Sequence, residues 1–328
     1  MSIKKITAII TACAIIFSVG CTRRDDDANT NAAIVSELER DEPAAATDDN
    51  VPKEPEPPQQ PDDDVDEPMM NQTEDNDEDL DEPGSESVQP SLISEIDLSE
   101  LSRGKITWGP GVRMNEDGRP EEPVALQQKY SSLGGMFIAP NNNKIYLTFD
   151  EGYENSFTPD ILDTLKEKKV SAVFFVTYQY ASSEPELMRR MVAEGHILGN
   201  HSTKHKSFPT LSEEEAIEDI MTLHNYVRAN YGYTMSLFRP PMGEFSEYTL
   251  ALAKSIGYTT VLWSFAYRDW EQDNQPISIQ ALDTINTRSH NGAIMLLHAV
   301  SRTNAEILGD AIDNLRARGF EFARLDWL

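Results

Sequence analysis

An α/β fold on a parallel sheet, open or closed into a barrel, is what residues 140–328 predict. Two observations carry this. Short β-branched and aromatic runs recur along the segment, and helical patterns separate them over about 190 residues; the polar residues that gather where several of those runs end argue in turn for an enzyme.

In chain order, Ile145-Tyr146-Leu147-Thr148-Phe149 and Val170-Ser171-Ala172-Val173-Phe174-Phe175-Val176 are apolar runs of the buried-strand kind. Between them Thr158-Pro159 opens a helix carrying Ile161, Leu162 and Leu165 on one face. A strand is expected from His196 to Asn200. Ser212 and Glu215 then form a capping box ahead of Ile217, Ile220, Met221 and Leu223. Further strands are expected at Met235 to Arg239, Thr259 to Phe265, Ala293 to His298 and Phe320 to Leu325. Further helices fit Ser246 to Ser255, Ser278 to Arg288 and Asn304 to Arg318. Residues 101–139 form a lead-in segment.

The chain ahead of this region differs in kind. Of the 56 acidic and 28 basic residues, 27 acidic and only 4 basic fall in residues 22–100, a stretch without Phe, Trp, Tyr or His. Such a segment cannot bury enough apolar surface to offset its ordering entropy, so it reads as a disordered, self-repelling acidic linker. Calcium capture is the alternative, but no spacing resembles an EF-hand loop. The formal net charge of -28 excludes general affinity for nucleic acid.

Lys4 and Lys5 precede an apolar run from Ile6 to Val19, too short to span a bilayer comfortably, and then Gly20-Cys21. Residues 1–21 therefore read as a signal peptide. Ser18-Val19-Gly20-Cys21 resembles a lipobox, which implies a lipid on Cys21 and an extracytoplasmic protein anchored to the membrane; cleavage without lipid and an uncleaved anchor are the alternatives. Cys13 and Cys21 are the only cysteines, so the folded part holds neither disulfide nor thiolate metal site.

Asp150-Glu151, His201 with His205, Arg239, Asp269 and His298 all sit at predicted strand ends, which in a barrel converge on one face. His201 and His205 are four residues apart, so one helical turn would aim both imidazoles at a common ion, with Asp150 or Glu151 as third ligand and a position open for water. Asp150 suits a general base kept ionised by Arg239, and His298 an acid oriented by Asp269. Taken singly, each has a plainer reading: Asp150 as a cap, Arg239 and Asp269 as a structural ion pair, His298 as a core residue.

Together, Thr148-Phe149-Asp150-Glu151-Gly152, His201-Ser202-Thr203-Lys204-His205, Arg239-Pro240-Pro241-Met242-Gly243, Asp269-Trp270 and Leu296-Leu297-His298 resemble the five ordered motifs of NodB-type polysaccharide deacetylases, carbohydrate esterase family 4. The resemblance covers about residues 140–328 and implies a distorted (β/α) barrel and removal of an N-acetyl group from a sugar with a divalent metal, zinc or cobalt. It implies Asp150 as catalytic base, Arg239 as its orienting partner, Asp269 as tuner of the acid His298, and His201 and His205 as metal ligands. Trp270 and Leu296 would line the acetyl-methyl pocket, and the Met242 backbone N–H would be an oxyanion donor. The third ligand position, usually Asp, is Glu151 here.

Gly152-Tyr153-Glu154-Asn155, Gly243-Glu244-Phe245-Ser246-Glu247-Tyr248, Trp263-Ser264-Phe265-Ala266 and the stretch His298 to Glu306 resemble the subgroup that forms muramic δ-lactam in spore cortex, as does Ile106-Thr107-Trp108-Gly109-Pro110 upstream. That resemblance implies N-acetylmuramic acid in peptidoglycan glycan strands as substrate, after an N-acetylmuramoyl amidase has removed the stem peptide. Deacetylation of N-acetylglucosamine is the rival within enzymes, and a glycan-binding surface protein without turnover the rival outside them.

Overall fold

The computed structural model describes residues 97–111 and 113–326. The signal segment, Cys21 and the acidic linker up to residue 96 lie outside the described residues. The last linker residues form a 3₁₀ turn, Leu98–Glu100, capped by the Asp97 side chain.

The sheet grows outward from β3 (Lys144–Glu151). It pairs in parallel with β4 (Val173–Val176), which pairs with β5 (Ile197–Asn200), then β6 (Leu237–Phe238), β8 (Thr259–Val261) and β2 (Gly135–Met136). β9 (Ala293–His298) runs in parallel along β3, and β10 (Glu321–Phe322) pairs with the start of β3. Between the β8 and β9 segments there is one bridge, Phe265 to Met295. The sheet is thus a curled, incompletely closed barrel. Pleat alternation divides the core: Ile145, Leu147 and Phe149 face the helices, whereas Tyr146 faces the barrel interior with Val173, Phe175, Ile294 and Leu296. Asp150 and His298 lie on the interior parity at the ends of β3 and β9, and they are register partners.

The crossover helices form where the local signals lie. Helix α2 (Thr158–Lys168) carries Pro159 in its first turn and ends at Lys169 in the left-handed conformation. Helix α5 (Glu213–Tyr231) has both halves of the Ser212/Glu215 capping box and stops at Gly232. Helices α6 (Glu247–Ser255), α7 (Ser278–Arg288) and α8 (Arg302–Ala317) match their sequence expectations within two residues. The strand expected from Val170 starts only at Val173, because the Val170 N–H closes α2 by donating to Leu165 O. The two short helices after β4, α3 (Tyr178–Ser183) and α4 (Pro185–Ala193), gave no sequence signal long enough to read.

The lead-in segment packs into this unit. β1 (Ile106–Thr107) pairs antiparallel with β7 (Glu244–Phe245), α1 is Glu121–Tyr130, and β2 is the sheet edge. Trp108 and Phe137 pack edge to face at 5.1 Å in the interior core, and Trp108 Nε1 donates to Trp263 O.

Gly199 makes room for the site. A Cβ there would lie 2.3 Å from the Phe175 ring, whose face carries the Arg239 guanidinium at 4.1 Å. We expect Gly199→Ala to destabilise the protein by about 1–3 kcal/mol through this overpacking, read as a lower urea midpoint. A wild-type midpoint would contradict the close approach.

Candidate active site

Arg239, fully buried after β6, holds the Asp150 end of the site. Its Nε and Nη2 donate to the carbonyls of Val261 and Leu262, and Nη1 donates to Asp150 Oδ1 at 2.7 Å. The rings of Phe175 and Trp263 lie 4.1 and 5.6 Å from the guanidinium carbon. Burial raises the cost of a charged Asp150, but the charges of Arg239, His201 and His298 and the Arg239 hydrogen bond outweigh it, so the carboxyl sits below its usual pKa. The partner of Arg239 is therefore Asp150, not Asp269.

His201 is buried at the end of β5, and its Nδ1 lies 2.9 Å from the Arg239 carbonyl, a partner that can only accept. Nδ1 therefore carries the proton, and the Nε2 lone pair faces Asp150 Oδ2 at 3.6 Å. Burial lowers the His201 pKa and favours this neutral form. The His205 ring stands edge to face with His201, centroids 5.1 Å apart.

No helical turn carries this pair. Ser202 and His205 adopt positive φ, and the loop is pinned by Asn200, whose Oδ1 accepts from Ser202 N–H, and by Asp219, whose carboxylate accepts from Thr203 and Lys204 N–H. Sequence reading gives neither residue a role: Asn200 is only the end of an expected strand, and Asp219, on α5, carries no local signal that ties it to the histidine motif.

Glu151 follows Asp150 on the opposite parity of β3. Its carboxylate is buried, and among the described residues neither oxygen has a hydrogen-bond partner. Burial, then the nearby Glu154 and Asp150, push its pKa well up. A buried carboxyl without a donor must hold a proton or meet a cation. Two imidazoles and a partnerless carboxyl are donor types that a divalent metal takes, but Glu151 leaves β3 on the face opposite Asp150, and among the described residues no three His, Cys, Asp or Glu side chains are grouped as a metal site.

His298 lies opposite Asp150 on the neighbouring strand, about 4.8 Å away by sheet spacing. His298 Nδ1 contacts Asp269 Oδ1 at 2.7 Å, and the His298 backbone N–H donates to Asp269 Oδ2 at 2.9 Å. Burial alone would lower the His298 pKa; the charge and hydrogen bond of Asp269, with the charge of Asp150, raise it above the ordinary value. Asp269 is fully buried while the His298 side chain is 22% exposed, so Nε2 reaches the cleft.

Around this centre, Trp270 is half-exposed with its ring 5.6 Å from His298, and Leu296 is buried two residues before His298 on the same strand face. Met242 sits exposed in the turn after Arg239 with positive φ. Tyr153, of the Gly152 to Asn155 motif, and Gln272, which sequence reading did not single out, bridge the β3 and β8 loops by a hydrogen bond.

The arrangement pairs an ionised carboxylate with a protonatable imidazole across one cleft, which suits hydrolysis of an amide or ester. Arg239→Met should destabilise the fold by about 3–5 kcal/mol, because Asp150 is left buried without its cation. The same variant should raise the Asp150 pKa, so that activity falls off at a higher pH on the acid side than in wild type. An unmoved acid limb in a folded variant would show that Arg239 does not set the Asp150 charge.

Comparison with known proteins agrees with the geometry. Residues 138–261 match the polysaccharide deacetylase family model. The chain is 40% identical over 223 residues, 67% of its length and 84% of the relative's, to the peptidoglycan-N-acetylmuramic acid deacetylase PdaA of Bacillus subtilis. It is 31% identical over 238 residues, 70% of its length and 83% of the relative's, to a peptidoglycan-N-acetylglucosamine deacetylase of Bacillus cereus. The solved structure of Bacillus subtilis PdaA, described as a family 4 carbohydrate esterase, superposes with a TM-score of 0.66 at 38% identity, covering 69% of this chain and 97% of that one. The chain therefore belongs to the NodB-type polysaccharide deacetylases of carbohydrate esterase family 4.

Proposed function

We infer that the protein removes the N-acetyl group of N-acetylmuramic acid in peptidoglycan strands whose stem peptides an amidase has cut away, and that the freed amine closes onto the lactyl carboxylate as muramic δ-lactam. The observation that carries the reaction is the pairing of Arg239-held Asp150 with Asp269-held His298 at register-matched ends of neighbouring strands. Support for muramic acid over glucosamine comes from the higher identity to the muramic acid deacetylase.

In this reading Asp150 takes a proton from the attacking water as its oxygen adds to the acetyl carbonyl. The Met242 N–H meets the oxyanion, and Trp270 and Leu296 shield the methyl group. His298 then delivers its Nε2 proton to the sugar nitrogen as the C–N bond breaks, releasing acetate and amine. Family membership implies a divalent metal, and zinc or cobalt held by His201, His205 and Glu151 would supply Lewis-acid polarisation and a lower pKa for the attacking water. A lipid on Cys21 with the acidic linker as tether would hold the domain outside the membrane, facing the wall; among the described residues no helix is long and apolar enough to cross one.

The test is mass spectrometry of muramidase-digested peptidoglycan after incubation with the protein, on intact and on amidase-treated glycan. Acetate loss at muramic acid only after amidase treatment is expected; loss at glucosamine would replace this substrate by the other. A chelator should abolish turnover, and zinc or cobalt should restore it. For the third ligand, Glu151→Asp should keep activity and metal affinity, whereas Glu151→Ala should lower both; a fully active Ala variant would remove Glu151 from the ligand set.

A further inference from the structure

Behind Asp269 lies a second buried side chain that sequence motifs do not assign. Asn304, in the first turn of α8, is buried, and its Nδ2 donates to Asp269 Oδ2 at 2.6 Å and to the His298 carbonyl at 3.1 Å. Both partners can only accept, so the amide orientation is fixed. Its Oδ1 in turn accepts the Tyr267 hydroxyl. The backbone beneath is equally tied. Asn304 N–H donates to the Ser301 hydroxyl that caps α8, and that hydroxyl donates to Gln275 Oε1, whose Nε2 donates to the carbonyls of Asp269 and Glu271.

The consequence follows from counting acceptors. Asp269 must present Oδ1 to His298 Nδ1, and a carboxylate free to turn about its last bond would do so only part of the time. The His298 backbone N–H and Asn304 Nδ2 both hold Oδ2, which leaves Oδ1 to the imidazole alone. Asn304 also ties the His298 carbonyl to the same side chain, so acid and carboxylate cannot drift apart.

We propose that Asn304, oriented by Tyr267, is a positioning residue for the acid His298, acting through Asp269 and touching no substrate. The proposal rests on the reading of His298 as the acid. The charged groups that act on His298 are Asp269, Asp150, Arg239 and His201, from four separate elements, and none is altered by the substitutions below.

The experiment compares wild type, Tyr267→Phe, Asn304→Leu and the double variant in the full chain. It measures kcat and KM against pH on amidase-treated glycan and the His298 titration by NMR. Asn304→Leu, nearly isosteric but without donors, should lower kcat about 10- to 100-fold with KM within about twofold, as loss of orientation without loss of binding requires. The His298 midpoint and the alkaline limb should move together to lower pH. Tyr267→Phe should cost several-fold, and the double variant should be no slower than Asn304→Leu alone. Unchanged kcat and midpoint in a folded Asn304→Leu, or an undiminished Tyr267→Phe effect in the double variant, would overturn the proposal. If Asn304→Leu does not fold, Asn304→Ser, too short to reach Asp269, carries the same expectations. His298→Ala serves as control: if it keeps wild-type turnover the acid assignment itself is lost, whereas an inactive His298→Ala beside a fully active Asn304→Leu removes only the positioning role.

Discussion

A fully buried guanidinium is the constraint around which the cleft is built. Arg239 brings five donors and a permanent charge into a sheet interior that would reject either alone. The chain answers with the carbonyls of Val261 and Leu262, the faces of Phe175 and Trp263, and one carboxylate, Asp150. The Arg239 carbonyl then accepts from His201 and fixes its tautomer. One residue thus ties β3, β5 and the segment after β8 into a single arrangement. Gly199 belongs to it as well, because the Phe175 ring needs the space a Cβ would take.

The same logic runs in mirror image at the other end. Burial disfavours the charged forms of both Asp150 and His298, and at each an opposite charge at 2.7 Å shifts the balance back towards the charged form. Two titratable groups whose environments push their pKa values apart are the arrangement acid and base chemistry needs at one pH. Glu151 is the exception. It is buried with no donor among the described residues and with carboxylates for neighbours, so its pKa rises where that of Asp150 falls, although the two are adjacent in sequence. Strand alternation accounts for the difference, since the two side chains leave opposite faces of β3.

Much of this was legible in the sequence because its signals are local. The Ser212 capping box, the Pro159 helix start and the apolar runs of β3, β4 and β9 need no knowledge of the rest of the chain, and the polar residues at strand ends marked the site. What stayed hidden depends on register and on distant partners. The expected Arg239–Asp150 pair is present, but that the guanidinium also spends Nε and Nη2 on the carbonyls of Val261 and Leu262 follows only once β6 is placed beside β5 and β8. The His201 to His205 spacing suggested a helical turn, and Asn200 and Asp219 impose a left-handed loop in its place. The strands of the lead-in segment are two residues long and carry no period to read. Asn304 stood at the start of an expected helix and inside the stretch His298 to Glu306, but nothing local gave it a role.

The most direct test of the central claim, that opposite buried partners hold base and acid in complementary charge states, is the pH dependence of kcat/KM in wild type and in Asp269→Asn. The account predicts a bell in wild type, its acid limb set by Asp150 below the usual carboxylate range and its alkaline limb by His298 above the usual imidazole value. Asp269→Asn should bring the alkaline limb to lower pH while the acid limb stays in place. An alkaline limb unmoved by that substitution, or a rate that climbs with pH without turning over, would contradict it.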